Sequence, residues 1–192
     1  MRTVCLTIRS PVDIPMQVAK WLAICEMPPR SMRSGHSLAF QYFEEVLSEV
    51  SIEKLSEEDQ SVQELLSSLE KPEGVVTSPF KMEWEAESDW EPDDPTAVSS
   101  GSCILVPLQF SDTKGLIVRS VGYAEAEQAT SQYEFSSDGT LLLSTIYGQS
   151  IAEERIWFAS ENVRCRSSVV KTSEGSGILQ ASFASEVRRL TQ

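Results

Sequence analysis

From Gly74 onward the sequence consists of short segments in which apolar and polar residues alternate, separated by turn signals. Such segments are predicted strands, because successive side chains of a strand point to opposite faces. The predicted strands are residues 75–84, 103–110, 115–121, 124–135, 141–147, 151–160, 163–171 and 178–187. Turns such as Ser136-Ser137-Asp138-Gly139 suit hairpins between them. About eight to ten short antiparallel strands favour a closed β-barrel or a β-sandwich, so we predict a mostly β fold.

Two helices are predicted before these strands. Asp13 can cap a helix that begins near Ile14, ends near Met27 and is stopped by two prolines. Its apolar stripe consists of Val18, Trp21, Leu22 and Cys25. A second, short helix is predicted within residues 58–69, which begin with acidic residues and have helical periodicity. Residues 1–13 are expected to be an irregular extension and residues 14–192 a single domain, since this length can bury one core.

Two further segments are predicted to lie outside these helices. From His36 onward, Leu38, Phe40 and Tyr42 alternate with smaller or polar residues, and extended structure is predicted to continue through Val46, Val50 and Ile52. The acidic segment 85–101 contains two prolines and several serines and is predicted to be a loop at a barrel mouth.

Charge and residue counts exclude several function classes. The chain has 29 acidic and 16 basic residues, a formal net charge of -13, so we expect no nucleic-acid partner and local arginines for any anionic ligand. His36 is the only histidine, which argues against a Ser-His-Asp triad or a two-histidine metal site, and no metal is predicted. The four cysteines lack paired spacing and are expected to stay reduced. No segment resembles a signal peptide or a membrane span, which predicts a cytoplasmic protein.

Residues 152–168 place charge in a predicted strand pair. If the loop is Ser160-Glu161-Asn162 with Asn162 left-handed, Ala159 pairs with Val163 and Glu154 pairs with Ser168. One face then carries Glu154, Arg164, Arg166 and Ser168 together with Ile156 and Phe158. Charged groups beside apolar ones suggest a ligand site, since unpaired buried charge is unfavourable. Periodicity alone also allows a solvated ion pair of little energetic consequence.

Several motifs resemble one known family in order and spacing. They are Met82-Glu83-Trp84-Glu85, the segment 101–107, Gly122-Tyr123-Ala124-Glu125, the hairpin 153–168 and the closing segment 181–188. Together they resemble the cyanobacterial S-type phycobilin lyases, the CpcS/CpeS group with its U-type relatives, from about residue 31 to residue 188. The resemblance departs at residues 29–40, at Glu161 and at residues 173–177.

The resemblance implies an antiparallel lipocalin-like or fatty-acid-binding-protein-like β-barrel with an amino-terminal helix and one short helix. It also implies an enzyme, a chromophore lyase that attaches a phycobilin through a thioether to a cysteine of a phycobiliprotein α or β subunit in its apo form. Phycocyanobilin or phycoerythrobilin would be the substrate, with no tightly bound cofactor. The protein would work in the cytoplasm, near thylakoid-associated phycobilisomes. A homodimer, or a heterodimer with a related lyase subunit, is left open.

Residue roles follow from matching the family's positions. Glu154 and Arg164 are the predicted catalytic residues. The predicted bilin-binding residues are Arg33, Met82, Trp84, Trp90, Arg166 and Ser168. Guanidinium groups suit the two propionates of a bilin, a carboxylate suits its pyrrole nitrogens or a proton relay, and aromatic rings suit stacking. For Met82 and Trp84 ordinary core packing is the alternative, and Trp157 has the opposite parity to Glu154.

Two functions outside catalysis remain open at this stage. The chain could be a bilin carrier or the non-catalytic subunit of a heteromeric lyase, or a barrel that binds another hydrophobic anion. Cys103 and Cys165 are predicted to be small buried residues, because one lies in an apolar strand and the other has the wrong parity. The nucleophilic thiol is therefore expected from the acceptor protein.

Overall fold

Antiparallel strands close into a barrel in the computed structural model, which describes residues 29–69, 73–88, 100–120, 128–174 and 177–188. The strands are β1 (Pro29–Ser37), β2 (Tyr42–Lys54), β3 (Val75–Val76), β4 (Phe80–Ser88), β5 (Ser100–Gln109), β6 (Lys114–Arg119), β7 (Ala129–Phe135), β8 (Leu141–Tyr147), β9 (Ser150–Ser160), β10 (Val163–Thr172) and β11 (Ile178–Arg188). Hydrogen-bonded neighbours follow the order β5-β4-β2-β1-β11-β10-β9-β8-β7-β6, and β6 pairs again with β5. The prediction of a closed, lipocalin-like antiparallel barrel is confirmed.

Every second side chain of each strand points into the interior of the barrel. In β7 the buried residues alternate with exposed ones, as strand geometry requires. The buried interior cluster consists of Phe80, Cys103, Leu105, Ile117, Tyr133, Phe135, Leu141, Leu143 and Ile156. These side chains come from β4 to β9, so one side of the interior is apolar.

The single described helix, α1 (Gln60–Ser67), packs on the outside of the barrel. Asp59 caps it by accepting a hydrogen bond from the Ser61 N–H at 2.9 Å, and the bonds from Ser61 hold the pKa of Asp59 below its ordinary value. Val62 and Leu65 contact a cluster that includes Val106 and Val118, which have the opposite parity to the interior residues. The short helix predicted within residues 58–69 is confirmed, whereas the predicted helix 14–27 lies outside the described residues. No helix within the described ranges has the length and apolarity needed to cross a membrane.

The structure corrects two strand predictions. Residues 38–41 are a turn between β1 and β2, because Gln41 adopts a left-handed φ of 53° that a strand does not allow, whereas the extended structure predicted from Tyr42 to Ile52 is confirmed as part of β2. The predicted strand 75–84 is divided into β3 and β4, since Ser78 has a φ of 44° and Pro79 follows it. Alternation continues across the first break through Leu38, Phe40 and Tyr42 and therefore does not reveal it, whereas Pro79 marks the second break in the sequence.

The β9–β10 hairpin differs from its prediction only at the turn. Ser160 pairs with Val163, so the loop is Glu161-Asn162, and a bulge makes Ala159 the extra residue. The prediction that Ala159 pairs with Val163 is therefore wrong. So is the left-handed Asn162, which is not among the described residues with positive φ. Below the bulge Glu154 pairs with Ser168, as predicted.

Candidate functional site

Seven of the eight predicted site residues lie on the interior face of the barrel, and the eighth, Trp90, lies outside the described residues. The seven are Arg33, Met82, Trp84, Glu154, Arg164, Arg166 and Ser168. The strand register places them there. For example, Arg166 pairs with Ile156 of the interior cluster on one side and with Ala184 on the other, and Ala184 pairs with Arg33. The sheet therefore brings together residues more than a hundred positions apart in sequence.

Met82 and Trp84 belong to the apolar side of this interior. Both are half-buried on β4 and pack against the interior cluster, together with Ile52 and Phe158. The indole of Trp84 lies over Gly101, its register partner on β5. A Cβ added at Gly101 would overlap Cζ2 of Trp84, so a larger residue at this close approach must displace the indole.

We expect Gly101→Ala to displace the Trp84 indole and to lower the free energy of unfolding by about 1–3 kcal/mol, because overpacking strains a tight contact. Urea denaturation measures the stability, and near-ultraviolet circular dichroism reports the indole position. Gly177→Ala is the matched control, since the nearest atoms to its added Cβ belong to Thr172 at 3.9 Å. Equal stability and spectra for both variants would contradict the contact.

The carboxylate of Glu154 lies between two arginines. Arg119 Nη2 is 3.4 Å from Glu154 Oε2, and Arg166 Nη1 is 3.7 Å from Glu154 Oε1. The side chains of Arg119 and Glu154 are 4% and 7% exposed, whereas that of Arg166 is 20% exposed. Arg119, on β6, was not predicted as a site residue. An inward-facing charge within an apolar strand was the only sequence signal for it.

Arg164 is paired with Glu186, on the strand next to its own. Nε of Arg164 donates to Oε2 of Glu186, its register partner on β11, and Nη2 forms an ion pair with the same oxygen. Both side chains are buried, and Ser31 on β1 is the other register partner of Glu186. The two predicted catalytic residues therefore belong to separate ion pairs, and Glu186 is a further site residue that the sequence prediction missed.

Two more polar contacts extend this side of the interior. Arg33 Nη2 donates to Oε1 of Glu44 on β2 at 2.8 Å, and this pair is only half-buried. The hydroxyls of Ser168 and Ser182 are 2.7 Å apart, and either oxygen can be the donor. The interior thus has an apolar side, on β4 to β9, and a polar side, on β1, β2 and β9 to β11.

The charge of the interior ion pairs suits an anionic ligand that also has a large apolar surface. The ion pairs described above bring four guanidinium groups and three carboxylates to the interior, an excess of one positive charge. Guanidinium groups can bind a ligand carboxylate through two parallel hydrogen bonds. The apolar side, with Trp84 and Met82, can pack against a flat conjugated molecule.

Three residues that the sequence predicts to be structural lie away from the ion pairs of the interior or on the outer parity. Trp157 lies on the outer face, where its ring is 6.2 Å from that of Phe183. Cys165 is buried with the outward parity, opposite to Arg164. Cys103 is buried within the apolar interior cluster. Both cysteines are free thiols that the surrounding side chains shield from solvent.

Comparison with known proteins shows which proteins this chain is similar to. The family model described as CpeS-like protein matches residues 18–189. A protein named chromophore lyase CpcS/CpeS 3, from Trichodesmium erythraeum, is 47% identical over 161 residues, which cover 83% of this chain and 91% of the relative. A putative phycoerythrobilin lyase CpeS from Microchaete diplosiphon is 38% identical over 82% of this chain and 71% of the relative. The solved S-type phycobiliprotein lyase CPES from Guillardia theta has a TM-score of 0.76 and 35% identity, covering 92% of this chain and 95% of that structure.

Proposed function

The chain belongs to the CpeS-like family, and we propose that it is a lyase that binds a phycobilin inside the barrel and attaches it to a cysteine of a phycobiliprotein subunit. The observation that carries this proposal is the two-sided interior, in which buried guanidinium and carboxylate groups face an apolar side that includes Trp84. A linear tetrapyrrole has both kinds of surface, since its propionates are anionic and its conjugated rings are flat. Phycocyanobilin and phycoerythrobilin both fit this description.

The arginines would bind the propionates. Arg166 has the longest of the interior ion-pair distances and is more exposed than Arg119 or Arg164, so a ligand carboxylate can approach it with the least desolvation. Arg33 is half-buried at the β1 side and would bind the second propionate. Ser168 would donate a hydrogen bond to the pigment, while Met82 and Trp84, with Trp90, would pack against the rings.

Glu154 would accept hydrogen bonds from the pyrrole nitrogens and relay the proton that the reaction transfers. Attachment is an addition, in which the acceptor thiol sulfur bonds to the ethylidene carbon of the terminal ring and a proton goes to the adjacent ring carbon. No group leaves, and no external oxidant or reductant is needed. A carboxylate held close to the pigment can accept hydrogen bonds from the nitrogens and relay this proton. Arg164, held by Glu186, would orient the pigment beside it.

The nucleophile would come from the acceptor subunit, since the two described cysteines are poorly placed for it. Cys165 lies on the outer parity, and Cys103 is 5% exposed among apolar side chains. The chain would therefore accelerate attachment by holding the pigment in one conformation for an incoming thiol. No tightly bound cofactor is needed for this step.

In the direct test, the purified protein is mixed with phycocyanobilin or phycoerythrobilin and an apo-phycobiliprotein subunit. We expect faster thioether formation and a single correct product, measured by absorbance of the denatured adduct and by mass spectrometry of its peptides. A rate and product mixture equal to those of the spontaneous reaction would reject a lyase that acts alone. If the chain binds pigment but attaches it only when a second lyase chain is added, it is the subunit of a heteromeric enzyme.

A further inference from the structure

Arg119 is a buried charged residue that has no role in the pigment binding and attachment proposed above. It is the last residue of β6, pairs in register with Leu105 and Ala129, and is 3% exposed. Its partner Glu154 is on β9, and β7 and β8 lie between the two strands. The contact therefore crosses the interior of the barrel from the apolar side to the polar side.

Stability alone does not account for this pair. Transfer of a guanidinium and a carboxylate from water to an apolar interior is unfavourable, and their attraction offsets that cost only in part. Hydrophobic residues of similar volume at the two positions are often neutral or even stabilising. Arg119 has Leu105, Ile117 and Phe80 of the interior cluster nearby along the sheet, so an apolar side chain would suit its position.

The geometry of Glu154 indicates what the arginine does. Arg119 approaches Oε2, and Arg166 approaches the other oxygen, Oε1, from β10. With Arg119 in place, one oxygen of the carboxylate is anchored and its charge is balanced before a ligand binds. Without Arg119, Glu154 would keep its ion pair with Arg166, and the carboxylate would compete with a propionate for that guanidinium.

We propose that Arg119 is a positioning residue that acts through Glu154: it holds the carboxylate in place and so reduces the competition between Glu154 and the ligand for Arg166. This proposal rests on the proposed function. It deepens that function by assigning a role to a residue across the barrel from the polar side. Arg119 itself would not touch the pigment, so its substitution should change pigment binding only to the extent that Glu154 is disturbed.

A double-mutant cycle in the full-length protein tests the proposal. Arg119→Gln, Glu154→Gln and the double variant are titrated with phycocyanobilin, and the Kd and the absorbance maximum of the bound pigment are recorded. We expect each single variant to weaken binding at least tenfold and to shift the maximum to the same position, and the double variant to bind no worse than Glu154→Gln. Arg119→Lys, which keeps the positive charge, should retain the wild-type maximum.

Controls separate this proposal from the proposed function and from loss of fold. Lys114→Gln removes an exposed charge from the same strand, β6, and should bind pigment like the wild type. Wild-type protein that does not bind pigment would overturn the proposed function itself. Only the role of Arg119 would be overturned if Arg119→Gln bound pigment with the wild-type Kd. The same conclusion would follow if the fold-changes in Kd of the two single variants multiplied in the double variant. If Arg119→Gln does not fold, the absorbance spectrum of pigment bound to Arg119→Lys tests the proposal instead. A shift of that absorbance maximum toward the maximum of Glu154→Gln would contradict positioning by charge.

Discussion

Replacing Glu186 with glutamine is expected to lower the free energy of unfolding by about 3–5 kcal/mol, because it removes the carboxylate that faces the buried charge of Arg164. Arg164 and Glu186 have side chains 6% and 4% exposed, and Nε of Arg164 donates a hydrogen bond to the carboxylate of Glu186. Little water can enter to replace the lost interaction. Equilibrium unfolding in urea, followed by far-ultraviolet circular dichroism, measures the change.

Two further variants test whether the loss of stability in Glu186→Gln comes from the burial of this ion pair. Glu49→Gln removes a carboxylate from a pair with Arg30 in which both side chains are more than half exposed, and it should change stability by less than about 1 kcal/mol. The double variant Arg164→Met with Glu186→Leu should recover most of the lost stability, since apolar residues remove both buried charges. It should still bind pigment poorly. Glu186→Gln within about 1 kcal/mol of the wild type would contradict the account of this ion pair.

Replacing Glu154 with glutamine is expected to reduce the rate of thioether formation by about a hundredfold or more, since general acid–base catalysis by a positioned group contributes that much. Glutamine keeps the shape of the side chain but cannot relay a proton. It also gives a weaker hydrogen-bond acceptor to the pyrrole nitrogens. The measurement is the initial rate of adduct formation at saturating pigment, with urea denaturation to show that the variant is folded.

The neighbouring residue on β9 offers a matched control for Glu154. Glu153→Gln makes the same chemical change one position earlier, on the outer face, where Glu153 is paired with Lys171 and is 52% exposed. This variant should keep the wild-type rate. Equal rates for Glu153→Gln and a folded Glu154→Gln would show that the interior carboxylate has no part in attachment.

The alternation of side chains along single strands predicts much of the interior face that carries the candidate site. Because side chains alternate along a strand, the parity of Glu154, Arg164, Arg166 and Ser168 could be derived before the structure was known, and the register of β9 with β10 agrees with it except at the turn. The bulge at Ala159 shifts the turn by one residue without changing the faces below it. A local error at a loop therefore did not affect the site.

Long-range partners could not be derived in the same way. Nothing in the sequence near Arg119 indicates that its guanidinium reaches Glu154, because that contact depends on the closure of the barrel and not on adjacent strands. Glu186 lies in a segment that the family resemblance covers, yet only the pairing of β10 with β11 places it against Arg164. Likewise β1 was missed, because Pro29–Ser37 contains few residues that favour strands and is held between β2 and β11 by pairing.

A crystal structure of the protein with bound phycocyanobilin tests the central claim most directly. The account predicts pigment inside the barrel, with its rings against Trp84 and Met82, a propionate within ion-pair distance of Arg166, and pyrrole nitrogens facing Glu154. Pigment bound on the outer face of the barrel, with the interior ion pairs of Glu154 and Arg164 unchanged and no ring near Trp84, would contradict it.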